Sequence, residues 1–191
     1  ELRHAFEMLM NGEFEIDERM MLDADVLRNG DQTPQHHAIG LNDAVVAKSA
    51  LARILRLSIY VEGDLVAAVR ADGLVVSTPT GSTAYALSAG GPIVHPGVPL
   101  LLICPICAHS LTQRPLVVAP EETVEIVAEW DGEEVEETSH QAMLTVDGQI
   151  GIELHSGDRV QIRRAEVCAR LLHPKNDSFY TRLREKMRWG F

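Results

Sequence analysis

The strongest constraint on the fold is an alternation of apolar and polar residues with a period of two, which recurs along most of the chain. In a clear example, one alternating stretch ends in a turn at Glu62-Gly63-Asp64, and the alternation continues on the strand after the turn. Its apolar positions are Leu57, Ile59, Val61, Leu65, Ala67 and Val69. Successive side chains of a strand point to opposite faces, so each such stretch can bury one face. Short strands separated by tight turns predict a mainly β fold, a sandwich of two packed sheets.

Other stretches extend this pattern over the rest of the chain. Alternation recurs in residues 20–26, 124–130, 143–146, 160–162 and 167–171. Residues 50–55 fit a strand or a helical turn equally well. The acidic residues 131–137 are typical of a solvated hairpin.

Three short helices are expected in addition to the strands. Leu2, Phe6 and Leu9 have helical spacing before an Asn-Gly stop signal. A second helix is predicted over residues 82–88, where Gly-Gly-Pro follows, and a third over residues 179–187. Both terminal helices lack an obvious partner, which is typical of a domain that belongs to a larger protein.

The charge of the chain excludes several classes of partner. Its 17 Lys and Arg residues face 28 Asp and Glu residues, and the net charge of −11 repels nucleic acid and anionic membranes. No run of 18 apolar residues occurs, and the first residues do not resemble a signal peptide. We therefore expect a soluble cytoplasmic protein that binds neither nucleic acid nor membrane.

Metal and redox chemistry find little support in the sequence. Cys104 and Cys107 have CxxC spacing, but no second pair accompanies them and they follow an apolar strand. The eight histidines are scattered, and adjacent His36 and His37 would face opposite sides of a strand. We expect reduced, inert thiols and no metal site within this chain.

The most informative stretch is a polar loop, Thr78-Pro79-Thr80-Gly81-Ser82-Thr83-Ala84-Tyr85, between a strand and the second helix. The start of a helix exposes unpaired N–H groups, here beside several hydroxyls. Gly81 would let a ligand approach the backbone, and Tyr85 could offer its ring to a base. The loop lacks the Lys and the glycine spacing of a Walker A motif. A plain capped turn is the alternative interpretation.

A second stretch carries an amide beside a carboxylate, Asn42-Asp43. Such a pair can hold ribose hydroxyls, although Asn-Asp is also common in turns. Together the two stretches resemble the Asn-Glu/Asp and TPTGSTAY motifs of the NAD kinases. Further stretches match that family in order, at residues 12–22, 109–118, 146–149 and 171–175. The resemblance covers nearly the whole chain and is to the carboxy-terminal, dinucleotide-binding part.

The resemblance implies transfer of a phosphoryl group from ATP, or from polyphosphate, to the adenosine 2′-hydroxyl of NAD, with Mg²⁺ or another divalent metal. It implies that Asn42 and Asp43 hold the adenosine ribose, and that Ser49 lies near the dinucleotide. The residues expected to line the adenine and nicotinamide pockets are Thr80, Thr83, Ala84, Tyr85 and Ser88. Asp72 would reach the nicotinamide end from a neighbouring subunit, so a homo-oligomer is expected.

The sequence departs from the family pattern in three places. Ala86 replaces a Ser of the loop motif, and Gly148 stands where some members have a His. The 191 residues contain no Gly-Gly-Asp-Gly run, whose Asp is the family's catalytic group, so no catalytic residue is assigned to this chain.

The resemblance also implies domain limits, and competing functions come from other classes of protein. Residues 1–14 would end a preceding α/β domain, residues 15–172 would form the β-rich NAD-binding domain, and residues 173–191 would be a tail helix returning toward the preceding domain. Two other functions remain open: a non-catalytic dinucleotide-sensing module, and a lipid kinase of the diacylglycerol kinase type.

Overall fold

The computed structural model describes residues 2–49, 54–110, 112–130, 142–175 and 178–190, and strands dominate it. The strands are β1 (Phe14–Leu27), β2 (His36–Gly40), β3 (Asp43–Lys48), β4 (Leu55–Val61), β5 (Asp64–Ala71), β6 (Gly73–Ser77), β7 (Leu101–Ile106), β8 (Leu116–Val118), β9 (Val124–Glu129), β10 (Ala142–Val146), β11 (Ile150–Leu154) and β12 (Arg159–Pro174). The helices are α1 (Leu2–Met10), α2 (Tyr85–Ser88) and α3 (Phe179–Met187), with a 3₁₀ turn at Thr80–Thr83. The predicted fold class, mainly β with a short loop helix and terminal helices, is confirmed.

The strands form two six-stranded sheets. The first has the order β2-β1-β12-β9-β4-β5, and the second has the order β11-β10-β3-β6-β7-β8. Inward side chains of both sheets join in one buried apolar cluster, to which Leu22, Leu57 and Ile126 contribute from the first sheet and Leu74 and Leu144 from the second. This is the predicted two-sheet sandwich.

The centre of the second sheet is buried on its outer face as well. There Val45, Val75, Leu102 and Cys104 pack with Ala86 of α2 in a second apolar cluster. Strands covered on both faces need continuous apolar runs instead of alternation. Because both faces of β6 are covered, every residue of this strand is buried.

One predicted strand face is wrong at its first residue. Leu65 was expected to point inward with Ala67 and Val69, but its side chain is 59% exposed. The pairing of β4 with β5 shifts from Ile59↔Ala67 to Tyr60↔Leu65, which inserts one extra residue. Such a bulge reverses the alternation beyond it, so Leu65 shares the outer face with Tyr60.

The helix predicted over residues 82–88 is divided. Residues 80–83 form the 3₁₀ turn, Ala84 leaves the helical region with φ −99° and ψ −128°, and α2 begins at Tyr85. The undecided residues 50–53 and the predicted hairpin at 131–137 lie outside the described residues. Leu55, at the end of the undecided segment, begins β4.

Residues 20–167 form one compact unit, and residues 1–19 with 168–191 form another. In the second unit the tail helix begins at the predicted residue, where the Ser178 hydroxyl accepts a hydrogen bond from the Tyr180 amide. Large apolar side chains of this unit are exposed, among them Phe6 and Trp189. None of the helices in the described ranges has the length and apolar character that a membrane span requires. The domain limits expected from the sequence stay a prediction.

A buried carboxylate fastens the end of β1 to the loop before β12. The side chain of Asp158 is 2% exposed; it accepts hydrogen bonds from the Arg28 guanidinium and, at 2.7 Å, from the His155 amide. Arg28 also donates to the Glu153 carbonyl at 3.1 Å. Removing one partner of a buried pair leaves the other charge without compensation.

We predict that Asp158→Ala lowers the free energy of unfolding by about 3 kcal/mol, because Arg28 loses its buried carboxylate. Glu18→Ala is the matched control. Its carboxylate is 63% exposed and lies 3.6 Å from Arg170, so its removal should cost about 1 kcal/mol or less. Urea unfolding of the two variants tests the difference, and equal losses would contradict it.

Candidate functional site

A cavity of about 360 Å³ opens beside the first residues of β3, on the outer side of the second sheet. Its described lining residues are Asn42, Asp43, Val45, Ala84, Tyr85, Thr145, Asp147 and Gly148. They come from three parts of the chain: the start of β3, the loop that begins α2, and the β10–β11 hairpin. The volume lies within the range of small-molecule sites, about 300–1,000 Å³.

Hydrogen bonds join the polar loop to the Asn-Asp segment. The Thr78 amide donates to the Asn42 carbonyl at 2.9 Å, and the Thr78 hydroxyl donates to the Leu41 carbonyl at 2.6 Å. The Ser77 hydroxyl also donates to the Asn42 carbonyl, at 3.2 Å. The two motifs that the sequence singled out are therefore one connected structure.

Gly81 has a different role from the one expected. A Cβ atom at this position would lie 2.1 Å from the Asn42 carbonyl oxygen and 2.6 Å from the Ser77 hydroxyl. The group that approaches the backbone here belongs to the protein and is not a ligand. The glycine is needed because the loop packs directly on the segment before β3.

The hairpin between β10 and β11 supplies a third contact to the same segment. The Asp147 carboxylate accepts hydrogen bonds from the amides of Leu41 and Asn42, both at 2.7 Å, and of Asp43 at 3.1 Å. In return, the Asp147 amide donates to the Asp43 carbonyl at 3.0 Å.

The turn geometry explains how Asp147 reaches these amides. Asp147 and Gly148 have positive φ values of 51° and 65°, and the Gln149 amide donates to the Val146 carbonyl at 3.0 Å. These are features of a type I′ turn, which favours Asp and Gly at its central positions.

Asp43 is buried at the base of the cavity, with 5% of its surface exposed. Burial raises the pKa of its carboxyl above the ordinary value, and the negative charge of Asp147 raises it further. A hydrogen bond from the Tyr85 backbone amide opposes this rise in pKa. The break at Ala84 allows that bond, since α2 begins with an amide directed at the carboxylate.

The expected site residues are only partly brought together. Asn42, Asp43, Ala84 and Tyr85 line the cavity, and the Tyr85 side chain is 45% exposed beside it. The other expected residues of the loop and α2 are close in sequence but are not part of the described lining. They are half-buried Thr80 and Thr83 and exposed Ser88.

Ser49 and Asp72 lie at the opposite end of the β3–β6 pair. Asp43 pairs with Ser77 at the cavity end, whereas Ala47 pairs with Gly73 at the other end, about 13 Å away along the strand. Ser49 and Asp72 flank that far end, where the Asp72 carboxylate contacts the Lys48 ammonium at 2.9 Å. Within one chain they are remote from the cavity.

Asp147, Thr145 and Val45 were not assigned to the site from the sequence. Asp147 lies in a stretch that supports the family resemblance, but its partners are backbone amides 104–106 residues away. An Asp-Gly hairpin turn is the only local signal, and it does not distinguish this carboxylate from others in turns.

The described lining contains two carboxylates and no Lys or Arg. In the described part of the chain, no three His, Cys, Asp or Glu side chains are grouped to hold a metal ion. The residues present therefore do not by themselves fit a metal cofactor. Cys104 is buried under α2, and burial raises the pKa of its thiol to about 11, which makes a reactive thiolate rare at neutral pH.

Sequence comparison identifies related proteins over nearly the whole chain. The family model of the ATP-NAD kinase C-terminal domain matches residues 41–173. NAD kinases of Desulforamulus reducens and Geobacter sulfurreducens are 45% and 43% identical over 188 and 190 residues. These matches cover 98% and 100% of this chain but 62% and 64% of the relatives, so the chain spans less than two thirds of their length.

Solved structures agree with this result. The fold is similar to that of yeast NADH kinase complexed with NADH, with a TM-score of 0.88 and 24% identity over 99% of this chain and 55% of that one. It is also similar to an NAD kinase from Archaeoglobus fulgidus in complex with ATP, with a TM-score of 0.77 and 26% identity over 98% of this chain and 66% of that one. The resemblance noted in the sequence is confirmed. Since the family model matches more than half of its residues, the chain belongs to the family of ATP-NAD kinase C-terminal domains.

Proposed function

We propose that the cavity binds the adenosine part of NAD, and that the whole protein phosphorylates its 2′-hydroxyl with ATP or polyphosphate to give NADP. The observation that carries the proposal is the position of the Asn42 amide and the buried Asp43 carboxylate beside the Tyr85 ring in one cavity. Family membership supports it, as do the relatives named NAD kinase.

The chemistry of the lining suits a nucleoside. A carboxylate accepts hydrogen bonds from ribose hydroxyls, and an amide both donates and accepts. An aromatic ring can stack on a base. No positive charge is present in the described lining, so the phosphates of the dinucleotide would lie outside this cavity. The ligand named for the yeast NADH kinase, NADH, contains such a nucleoside.

The chain supplies the acceptor side of the proposed reaction. Phosphoryl transfer needs a positioned acceptor, a donor in line with it and neutralisation of the developing charge. The described residues can position the acceptor hydroxyl. The 191 residues contain no Gly-Gly-Asp-Gly run, and the described part offers no metal site, so we derive no step of the transfer from these residues. The divalent metal would accompany the donor.

A second subunit would complete the site. Asp72 lies at the far end of the β3–β6 pair from the cavity of its own chain. The family resemblance gives this residue a role at the nicotinamide end of a neighbouring subunit's site. In a homo-oligomer, Asp72 would be far from the cavity of its own chain and close to the cavity of its neighbour.

Substitutions in the cavity should weaken NAD binding. Asn42→Ala loses hydrogen bonds to ribose, and we predict a loss of about 1–2 kcal/mol, which corresponds to roughly 5- to 30-fold in Kd. Tyr85→Ala loses base stacking worth about 1–3 kcal/mol. Cys107→Ser is the control, because Cys107 is exposed and does not line the cavity. Calorimetry with NAD measures all three, and a larger loss for the control would refute the site.

Phosphoryl transfer to NAD should depend on residues that are not among these 191. We predict that the 191-residue chain binds NAD weakly and does not form NADP with ATP and magnesium, whereas a longer chain with the length of the relatives does. Turnover by the short chain, abolished by Asp43→Asn, would instead make Asp43 a catalytic base. NAD binding without turnover in the longer chain would favour the dinucleotide-sensing function.

Sharing of the site can be tested by mixing two defective variants of the longer chain, Asn42→Ala and Asp72→Ala. If Asp72 serves the partner's cavity, each mixed dimer contains one site with both residues intact. Random mixing of equal amounts then restores about a quarter of the sites, as counted by NAD titration. No restoration, or a monomer in light scattering, contradicts the shared site.

A further inference from the structure

The Asp147 carboxylate accepts three hydrogen bonds from the backbone segment that it contacts. One oxygen accepts from the Leu41 amide, and the other accepts from the amides of Asn42 and Asp43. With the bond from the Asp147 amide to the Asp43 carbonyl, four hydrogen bonds join this one residue to three consecutive residues. Bonds to an ionised acceptor are about twice as strong as neutral ones, so this contact fixes the direction of the segment.

Neighbouring residues leave room for this contact. A Cβ atom at Gly40 would lie 2.7 Å from Val146 Cγ1 and 3.3 Å from Asp147 Oδ1. A side chain at this position would have to displace Val146 and crowd the Asp147 carboxylate, so glycine suits the close approach of the hairpin. The approach aligns the three amides toward the hairpin and leaves the side chains of Asn42 and Asp43 at the cavity.

We propose that Asp147 is the positioning residue of this site: its carboxylate orients Asn42 and Asp43 for the ribose. The inference rests on the proposed function, since it names what prepares that site for NAD. Asp147 acts on the two residues that would contact the ligand through its bonds to their backbone amides, and its own carboxylate also borders the cavity.

The effect of charge follows from the surroundings of Asp43. The groups around its carboxyl are Asp147 from the hairpin and the Tyr85 backbone amide from α2. On the β6 side, the paired residue Ser77 is uncharged. Asp147 is therefore the charged group that raises the pKa of Asp43, after burial itself. Ribose binding that needs the carboxylate is present above this raised pKa and is lost as the pH falls through it.

Asp147→Asn removes the negative charge of the side chain and keeps its size and shape. Its amide oxygen can still accept from Asn42 and Asp43, but the NH₂ group then faces the Leu41 amide, donor against donor. We expect the NAD Kd to rise about tenfold at pH 7.5, and the acidic midpoint of NAD binding to move to lower pH. Gln149→Ala, an exposed side chain in the same hairpin, should change neither quantity.

Hydrogen exchange reports on the backbone directly. In Asp147→Ala the amides of Leu41, Asn42 and Asp43 lose their acceptor, so their exchange should accelerate at least tenfold relative to wild type and to Gln149→Ala. This measurement needs no dinucleotide. It therefore distinguishes failure of the positioning role from failure of the proposed function.

If wild-type protein does not bind NAD, the proposed function fails, and the ribose role of Asp147 fails with it. If wild type binds NAD while Asp147→Asn binds equally well, or binds less tightly with an unchanged acidic midpoint, Asp147 is merely structural and the inference is overturned. Unchanged exchange in Asp147→Ala also overturns it. If Asp147→Ala does not fold, the affinity and acidic midpoint of Asp147→Asn decide.

Discussion

The candidate site depends on how the backbone of three residues, Leu41 to Asp43, is satisfied. Their amides bond to the Asp147 carboxylate, while the carbonyls of Leu41 and Asn42 accept from Thr78. Buried backbone groups without partners are costly, and the contacts with both neighbours satisfy the amides and carbonyls of this segment beside the cavity. The second sheet brings the neighbours together, since β3 lies between β10 and β6.

Much of the fold could be predicted from the sequence because alternation reports burial directly. The strands around Leu57 and Ile126 and the tail helix follow from spacing alone. The exposure of Leu65 could not be predicted, since a bulge adds one residue without a distinctive side chain. The break at Ala84 was equally hidden, because the bond that it allows joins the Tyr85 amide to a carboxylate about 40 residues earlier in the chain.

The sequence predicted only part of the candidate site, since several expected side chains, such as those of Thr80 and Ser88, are not in the described lining of the cavity. The amide of Asn42 and the aromatic ring of Tyr85 can be recognised from the sequence as ligand-binding groups, and both residues line the cavity. Asp147 bonds to amides, which every residue except proline possesses, so nothing in the sequence marks its partners. The described lining is acidic, as is the whole chain with its net charge of −11, so the proposed dinucleotide would place its hydroxyl-bearing part in this cavity and its phosphates elsewhere.

The contact at Gly81 bears on how variation in this loop is interpreted. A methyl group there would overlap the Asn42 carbonyl, so nearly every substitution would displace the segment that carries the amide and the carboxylate. A mutational scan would rank this glycine among the least tolerant positions, together with the residues that are proposed to contact the dinucleotide. Such intolerance would reflect steric exclusion inside the protein. Positional sensitivity in this loop is therefore a poor guide to ligand contact unless each replacement is also tested for folding.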